Sequence, residues 1–277
     1  MAKPLSKTVV VAYGRSAVAK SGKKGALRQM HPVTIGGLTL KGVLEKVPEL
    51  DPALVEDVIV GCAIPERKQG FNFARLMVAR AGLPDSVCGM TERFRSPFAQ
   101  FVQVVALQGV LELRIALAAS QIECGIADVI VAGGVESMTA CPVNLDISDT
   151  FDSELLAMRK EEYIPMGLTA ENVAERYGIT RREMEELAVE SHRRAAAAQD
   201  AGKFDDEIIP LPGVDPEGND IVFDKDQGIR RDTNLETLAS MKPCFKENGR
   251  VTAATSSQTS DAAAFVVLMS RSKAEAL

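Results

Sequence analysis

The hydrophobic positions of this chain fall into short continuous runs that are separated by longer segments with helical spacing. Five β-branched or apolar runs predict strands: Thr8 to Ala12, Asp57 to Cys62, Ser86 to Met90, Asp128 to Ala132 and Asp261 to Ser270. Runs of this length that are apolar at successive positions are typical of strands buried on both faces of a sheet.

The segments between these runs favour helices. Val33 to Val47 has helical apolar spacing, and Pro97 to Glu123 is apolar and compatible with a helix. Asn72 to Ala81 predicts a short helix that ends at Gly82, a residue typical of helix C-caps. Strands that alternate with helices indicate βαβ units, and we therefore expect an α/β fold whose sheet is mixed but mostly parallel.

Residues 141–245 differ in composition from the rest of the chain, with more charged residues, more proline and more turn signals. Thr169 to Tyr177 and Arg181 to Ala201 predict helices, and the TRRE string at 180–183 fits a capping box. Ile208 to Val222 predicts irregular chain or short strands. We interpret this region as an insertion between two strands of the sheet.

Composition narrows the functional classes. The chain has 277 residues with 46% hydrophobic and 25% charged positions, which is typical of a soluble globular protein. A net charge of −6, with aromatic residues at only 5% and no tryptophan, argues against nucleic acid as a partner. Two histidines make a histidine-based metal site a poor expectation. No apolar run reaches the roughly 18 residues of a membrane span.

The cysteines and the first residues of the chain indicate the cellular compartment in which we expect the protein. Five scattered cysteines form no CxxC pair, which indicates reduced thiols. The first residues lack the layout of a secretory signal. These observations predict a cytoplasmic location, with mitochondria or peroxisomes as open alternatives.

The string IECGIADVIVAGGVESM, from Ile122 to Met138, is the most informative one. It predicts a helix end and a buried strand, followed at Gly133 and Gly134 by a sharp turn or by a close approach of the backbone to a ligand. Glu136 and the two residues after it would then lie beyond the carboxyl end of the strand, where open α/β sheets build their sites.

Four strings in order carry a family resemblance: Asp57 to Val87, Ala127 to Met138, Tyr163 to Thr180 (YIPMGLTAENVAERYGIT) and Val251 to Ala263 (VTAATSSQTSDAA). Together they resemble the amino-terminal half of degradative 3-ketoacyl-CoA thiolases and acetyl-CoA acetyltransferases. The resemblance implies a layered α/β/α half with an inserted loop domain. It identifies residues 1–277 as the amino-terminal thiolase domain, with 141–245 as the CoA-binding insertion and the carboxy-terminal thiolase domain absent.

The resemblance also implies a chemistry that this chain lacks. Family members use a nucleophilic cysteine at a helix amino terminus, and a histidine and a second cysteine from the carboxy-terminal half. The family string resembles MTVNRFCSSGLQ, whereas this chain reads TERFRSPFAQ from Thr91 to Gln100, so that Arg95 takes the place of the nucleophile. Arginine cannot form a thioester because its guanidinium stays protonated. The chain ends at Leu277, before the other two residues are expected.

The five cysteines of the chain offer no replacement nucleophile in the sequence. Cys62 and Cys88 fit small apolar core positions. Cys124 follows the end of a helix, the wrong end for activation by the helix dipole. Cys141 and Cys244 flank the insertion. We therefore predict no catalytic residue in this chain and no metal site.

The positions that contact CoA in the family are better preserved. The resemblance places Arg230 near the nucleotide end of CoA and Thr237 beside the ligand. It places Ala253 and Ser257 along the pantetheine arm, and Met166 near the acyl channel. A forked, charged hydrogen bond from one arginine suits a phosphate.

The loop that carries Ala253 and Ser257 also departs from the family pattern. Ala254 and Ala262 replace two glycines of a string resembling TAGNSSQTSDGAA. If those glycines need a positive φ, each alanine would cost of order 1 kcal/mol.

Three hypotheses follow. The first is an acyltransferase of the thiolase family, represented by an incomplete or mis-spliced chain and inactive in the sequence as written. It would act in lipid metabolism as an acetyl-CoA C-acyltransferase, by thiolysis of a 3-ketoacyl-CoA or by condensation. It would take CoA or acyl-CoA as substrate, need no cofactor, and form a homo-oligomer, a dimer or a tetramer by family. The second is a non-catalytic thiolase-like protein that binds acyl-CoA or a partner. The third is an unstable remnant.

Overall fold

The computed structural model describes residues 7–93, 103–142 and 151–277. Its strands are β1 (Thr8–Ser16), β2 (Ala19–Lys20), β3 (Asp57–Cys62), β4 (Cys88–Arg93), β5 (Val129–Ser137), β6 (Ile208–Ile209), β7 (Leu211–Val214), β8 (Asp220–Phe223) and β9 (Ser260–Ser270). Its α-helices are α1 (Pro32–Leu44), α2 (Phe73–Ala81), α3 (Gln103–Glu123), α4 (Ser153–Met158), α5 (Met166–Tyr177), α6 (Arg181–Asp200), α7 (Leu235–Ala239) and α8 (Arg271–Ala276).

Within these ranges, a seven-stranded sheet has the order β4-β3-β5-β9-β1-β6, with β2 paired to β9. β3 is parallel to both β4 and β5, and β1 is parallel to β6. β9 runs antiparallel to β5, β1 and β2. One strand therefore runs against the rest, which confirms the predicted mixed, mostly parallel sheet.

Helices cover both faces of the sheet. α1 and α2 pack on one face with β3 residues such as Val58 and Val60. α3 packs on the opposite face, where Ala118 and Ile122 meet Ile59. Alternate residues of β3 thus point into two different apolar cores, as successive side chains of a strand must. This explains why the strand reads as a continuous apolar run, and it confirms the α/β/α layering.

Several helix ends lie where the sequence predicts them. Gly82 has φ +80° and closes α2 in the left-handed conformation that favours glycine. Thr180 and Glu183 form the predicted capping box at the start of α6, with the Thr180 backbone N–H donating to Glu183 Oε2 at 2.7 Å. Local capping chemistry therefore fixes these boundaries without help from distant residues.

The predicted turn at Gly133 and Gly134 is wrong. β5 continues through both glycines to Ser137, and Gly133 lies opposite Phe265 on β9. A Cβ at Gly133 would lie 2.1 Å from Cδ1 of Phe265 and 2.5 Å from the carbonyl oxygen of Ala264. The glycine is therefore needed for the close approach of an aromatic ring within the sheet, rather than for a turn.

Residues from the region 141–245 also join the main sheet. β6 pairs with the carboxyl end of β1, where Arg15 lies opposite Ile208. The β7–β8 hairpin attaches nearby, since the Val214 N–H donates to the Ala26 carbonyl at 2.9 Å. The segment between β5 and β9, which contains helices α4 to α7, is therefore tied to the edge of the sheet.

Candidate functional site

A cavity of about 1010 Å³ opens beside the amino-terminal end of β9. Its walls come from four parts of the chain: the segment at 18–21, helix α6, the segment 226–245, and the loop 253–259. Because β9 runs against β5, this end of β9 lies beside the carboxyl end of β5. The cavity therefore sits at the edge of the sheet where the sequence predicts a site.

Buried hydrogen bonds hold the segment that begins at Asp226. The Asp226 carboxylate accepts hydrogen bonds from Nη1 and Nη2 of Arg15, at 2.8 and 3.0 Å, and from the Val18 N–H at 2.7 Å. Gln227 Oε1 then accepts the Lys20 N–H at 3.2 Å. Arg15 also donates to Glu207 at 2.8 Å, so that its charge offsets the negative charge of Asp226 only in part.

Arg230 lies on the cavity wall with its main chain anchored and its charge unpaired. Its backbone N–H donates to His192 Nδ1 at 3.2 Å, and its carbonyl accepts the Thr233 hydroxyl at 3.0 Å. Its guanidinium makes no ion pair or hydrogen bond with any described residue. The neighbouring Arg231, in contrast, pairs with Asp200 at 2.7 Å. Arg230 is therefore free to bind an anionic ligand.

Thr237 lines the same cavity from the first turn of α7. Its backbone N–H donates to the N-cap Asn234 at 2.9 Å, which sets the start of this short helix. The Thr237 side chain is exposed, and its hydroxyl has no hydrogen-bond partner among the described residues. The hydroxyl can therefore donate to or accept from a ligand.

The loop with Ala253 and Ser257 forms the opposite wall. Ala253–Thr255 is one turn of 3₁₀ helix, closed by the Thr255 N–H donating to the Thr252 carbonyl at 3.1 Å. Ala254 and Ala262 do not have positive φ. The strain that glycine-to-alanine replacement would bring at such a φ is therefore not present, and small side chains leave the wall open to a narrow ligand.

Met166 is the one predicted site residue that does not line the cavity. It is the first residue of α5 and is half-buried. Its neighbour Gly167 packs directly against the ring of Phe245, which does line the cavity. Met166 is therefore separate from the cavity lining, whereas Arg230, Thr237 and the 253–257 loop are brought together.

A second polar cluster closes the carboxyl end of β5, and we call the side chains of Gln69, Glu136, Ser137, Thr139 and Asp261 the sheet-end network. Gln69 Nε2 donates to Glu136 Oε1 at 2.8 Å, and its Oε1 accepts the Ser137 N–H at 2.6 Å. Asp261 accepts the Ser137 hydroxyl at 3.1 Å and the Thr139 N–H at 2.9 Å.

Burial dominates the electrostatics of this network. Desolvation raises the pKa of Glu136, although hydrogen bonds from Gln69 and from the Ala63 N–H act in the opposite direction. Desolvation likewise raises the pKa of Asp261, against the hydrogen bonds from Thr139. Both carboxyl groups are enclosed by protein donors and do not line the cavity. The network therefore shapes the end of β5 rather than offering a free base.

The cysteines divide into two classes. Cys62 and Cys141 are buried, and desolvation raises the pKa of both thiols. The prediction that Cys88 is a core residue is wrong, because Cys88 is exposed at the start of the edge strand β4. Cys124 and Cys244 are exposed as well, and Cys124 directly follows the carboxyl end of α3. None of the five lies at the amino terminus of a described helix.

Arg95, the residue predicted at the nucleophile position, lies outside the described residues. Among those that are described, no cluster of three or more His, Cys, Asp or Glu side chains could hold a metal ion. Nor does any helix in the described ranges have the length and apolar character needed to cross a membrane.

The structure adds residues that sequence reasoning missed. His192 and Lys20 line the cavity. Gln258 also lines it and packs against Gly228, where an added Cβ would lie 2.4 Å from Nε2 of Gln258. Sequence spacing provides no signal for His192, because its neighbour Arg230 is 38 positions away.

A family model described as "Thiolase, N-terminal domain" matches residues 8–272. The chain belongs to the thiolase family. It is 38% identical to a 3-ketoacyl-CoA thiolase of Bacillus subtilis, over 99% of this chain and 68% of that protein. It is 37% identical to the peroxisomal 3-ketoacyl-CoA thiolase 2 of Arabidopsis thaliana, over 96% of this chain and 56% of that protein.

A solved thiolase-fold structure agrees with these relatives. The chain matches the acetyl-CoA acetyltransferase of Bacillus anthracis with a TM-score of 0.78 and 34% identity, over 97% of this chain and 66% of that one. The predicted family and α/β fold class are thereby confirmed. The chain spans about half to two thirds of the length of these thiolases.

Proposed function

We propose that the cavity binds the CoA part of an acyl-CoA, the substrate class of thiolase-type acyl transfer. The observation that carries the proposal is that Arg230, Thr237, Ala253 and Ser257 line one cavity although they are spread over the sequence. An unpaired guanidinium suits a phosphate, and hydroxyls with small residues suit a polar, narrow arm.

The relatives' names support the reaction class. They are called 3-ketoacyl-CoA thiolases and acetyl-CoA acetyltransferases. We extend this to the chain as an acyltransferase assignment: cleavage of a 3-ketoacyl-CoA by CoA, or the reverse condensation. Residues 1–277 would then act as the amino-terminal thiolase domain, in which 141–245 supplies most of the CoA-binding wall.

We further propose that the chain, in its present sequence, binds CoA without forming an acyl-enzyme. Thiol attack needs a thiolate, and burial disfavours the thiolate of Cys62 and Cys141. Cys88 and Cys124 do not line the cavity, and Cys244 does so from a loop without helix-dipole activation. Arg95 occupies the position that the resemblance assigns to the nucleophile.

Calorimetric titration of the purified 277-residue protein with CoA tests the binding proposal. We expect Arg230→Ala to weaken binding by about ten- to a hundred-fold, the size of a lost charged hydrogen bond. Arg231→Ala is the matched control, because Arg231 pairs with Asp200 and does not line the cavity. Equal losses in the two variants, or no binding by the parent protein, would contradict the proposal.

Incubation with isotopically labelled acetyl-CoA, followed by peptide mass spectrometry, tests the second part. We expect no acylated cysteine. A stoichiometric label on any of the five cysteines would show that the chain supplies a nucleophile after all. Thiol alkylation provides a further check: CoA should protect Cys244, which lines the cavity, and leave Cys88 and Cys124 unprotected.

The oligomeric state is a separate proposal. We propose a homo-oligomer, a dimer or a tetramer, as the resemblance implies. β4 pairs on one side with β3 and ends the described sheet, so that its other edge is open to a further strand. Sedimentation equilibrium should show at least twice the monomer mass of 29.7 kDa.

A further inference from the structure

His192 accepts a hydrogen bond from a residue outside its own helix. It lies midway along α6, is half-buried, and lines the cavity. Its Nδ1 accepts the backbone N–H of Arg230 at 3.2 Å. This role requires Nδ1 to be unprotonated, and it therefore places the ring proton of neutral His192 on Nε2.

The contact holds a segment that lacks regular structure. Residues 228–234 lie between β8 and α7 and contain no helix or strand. Two side chains hydrogen-bond to the main chain of Arg230 there: His192 accepts from its N–H, and the Thr233 hydroxyl donates to its carbonyl. The guanidinium of Arg230 is thereby carried on a backbone that is fixed at both of its polar groups.

The two arginines that follow His192 on α6 are already engaged. Arg193 and Arg194 on the same helix both pair with Glu190, at 2.6 and 2.7 Å. Arg230 has no such partner among the described residues. The hydrogen bond that His192 Nδ1 accepts therefore holds the one arginine that lines the cavity within the described part of the chain.

We propose that His192 is a positioning residue, which holds Arg230 in the conformation that takes a phosphate group of a CoA-type ligand; this rests on the proposed function. A binding group whose backbone is preordered loses less conformational freedom when the ligand arrives. If the anchor is removed, the competent conformation is less populated, and the apparent affinity falls in proportion.

A double-mutant cycle tests this role, with CoA as the ligand and calorimetry as the readout. His192→Ala should weaken CoA binding about five-fold, the size of one ordinary hydrogen bond. His192→Asn should restore binding to within about two-fold, because the Asn amide oxygen stands the same number of bonds from Cβ as Nδ1 does. In an Arg230→Ala background, His192→Ala should change affinity by less than about two-fold, because the two residues act as a unit.

The outcomes separate this inference from the proposed function. If the parent protein binds no CoA, the proposed function fails and the inference falls with it. If the parent binds CoA but His192→Ala has no effect, or its effect is additive with Arg230→Ala, the inference alone is overturned. An Asn variant as weak as the Ala variant also overturns it. Thermal unfolding of each variant shows whether any loss reflects general damage to α6.

Discussion

The sheet-end network and the cavity wall are both polar, and they lie at the same edge of the sheet. Thr139 belongs to the network, and its hydroxyl accepts the N–H of Gly22, which follows the cavity-lining Lys20 and Ser21. In the network, Glu136 accepts from Gln69, Asp261 accepts from the Ser137 hydroxyl, and both carboxyl groups are closed off by protein. In the wall, Arg230 and Thr237 leave a charge and a hydroxyl unpaired among the described residues.

This contrast distinguishes polar groups that stabilise the fold from polar groups that are available to a ligand. Buried polar groups that satisfy one another stabilise a conformation, because leaving any of them unpaired is costly. Exposed polar groups around an open volume contribute little to folding and remain available to a ligand. Changes in the network should therefore alter stability, and changes in the wall should alter binding.

The largest effect is expected at the glycine that lets β5 and β9 approach. Gly133→Ala would place a Cβ 2.1 Å from the Phe265 ring. We expect a loss of about 3 kcal/mol or more in the free energy of unfolding, because neither the ring nor the Ala264 carbonyl can move away within the sheet. Urea denaturation measures this loss.

Gly125→Ala is the control for this prediction. Gly125 has φ +72°, but a Cβ added there would have no described atom within 4 Å. This variant should lose only about 1 kcal/mol, the usual strain of alanine in the left-handed region. Equal losses in the two variants would show that the close approach of Phe265 is unimportant.

The next effect is expected in the sheet-end network itself. Gln69→Ala removes hydrogen bonds to Glu136, to the Ile64 carbonyl and from the Ser137 N–H. It leaves buried groups unpaired, and we expect a loss of about 3 kcal/mol in unfolding free energy. The CoA affinity of the folded protein should stay within about two-fold of the parent. A large loss of affinity with intact stability would break the division between network and wall.

A stabilising change is expected at a buried arginine of α3. Arg114 is 1% exposed, and its Nε and Nη2 have no hydrogen-bond partner in the described structure. Desolvation lowers its pKa, against the attraction of Glu92. Arg114→Met should raise the free energy of unfolding by about 1–2 kcal/mol, because an apolar side chain of similar length removes a buried charge and the two donors that lack a partner. A loss of stability in urea denaturation would contradict this.

A change in the wall should show the opposite pattern to Gln69→Ala. Thr237→Val removes the unpaired hydroxyl but keeps the backbone N–H that Asn234 caps. We expect CoA affinity to fall by about three- to ten-fold, while the free energy of unfolding changes by less than about 0.5 kcal/mol. Calorimetry and urea denaturation on the same sample measure both quantities. Unchanged affinity would remove Thr237 from the site.

The smallest effect is a pH dependence of stability. Burial raises the pKa of Glu136 above its ordinary value of 4.5. The folded state therefore holds this proton more tightly than the unfolded state, so that the stabilisation is complete below the ordinary pKa and is lost as pH rises through the folded pKa. Glu136→Gln should flatten this fall in unfolding free energy. The same slope in parent and variant would show that Glu136 is not the group responsible.

Much of the fold could be predicted from the sequence because its signals are local. β3 has the predicted bounds, and α2 ends at the predicted Gly82. Prediction fails where a distant residue decides. The length of β5 depends on pairing with β9, and the need for a glycine at position 133 depends on the nearby ring of Phe265. The exposure of Cys88 depends on β4 being an edge strand, which sequence order does not reveal.

The candidate site could be predicted in part. A resemblance singles out Arg230, Thr237, Ala253 and Ser257 one by one, and the structure places them on one cavity. Met166 does not line that cavity, and its role stays a prediction. His192 has no signal in the sequence.

The sequence identifies the alternation of strands and helices, the family, and the arginine at position 95, because periodicity, caps and ordered strings are properties of neighbouring residues. Which polar groups are satisfied and which are free depends on the tertiary fold. Glu136 is enclosed by Gln69, whereas Arg230 is held through its backbone by His192 and keeps a guanidinium with no partner among the described residues. His192 and Arg230 lie 38 positions apart, and Ser137 and Asp261 lie 124 positions apart, so that only folding brings such hydrogen-bond partners within reach.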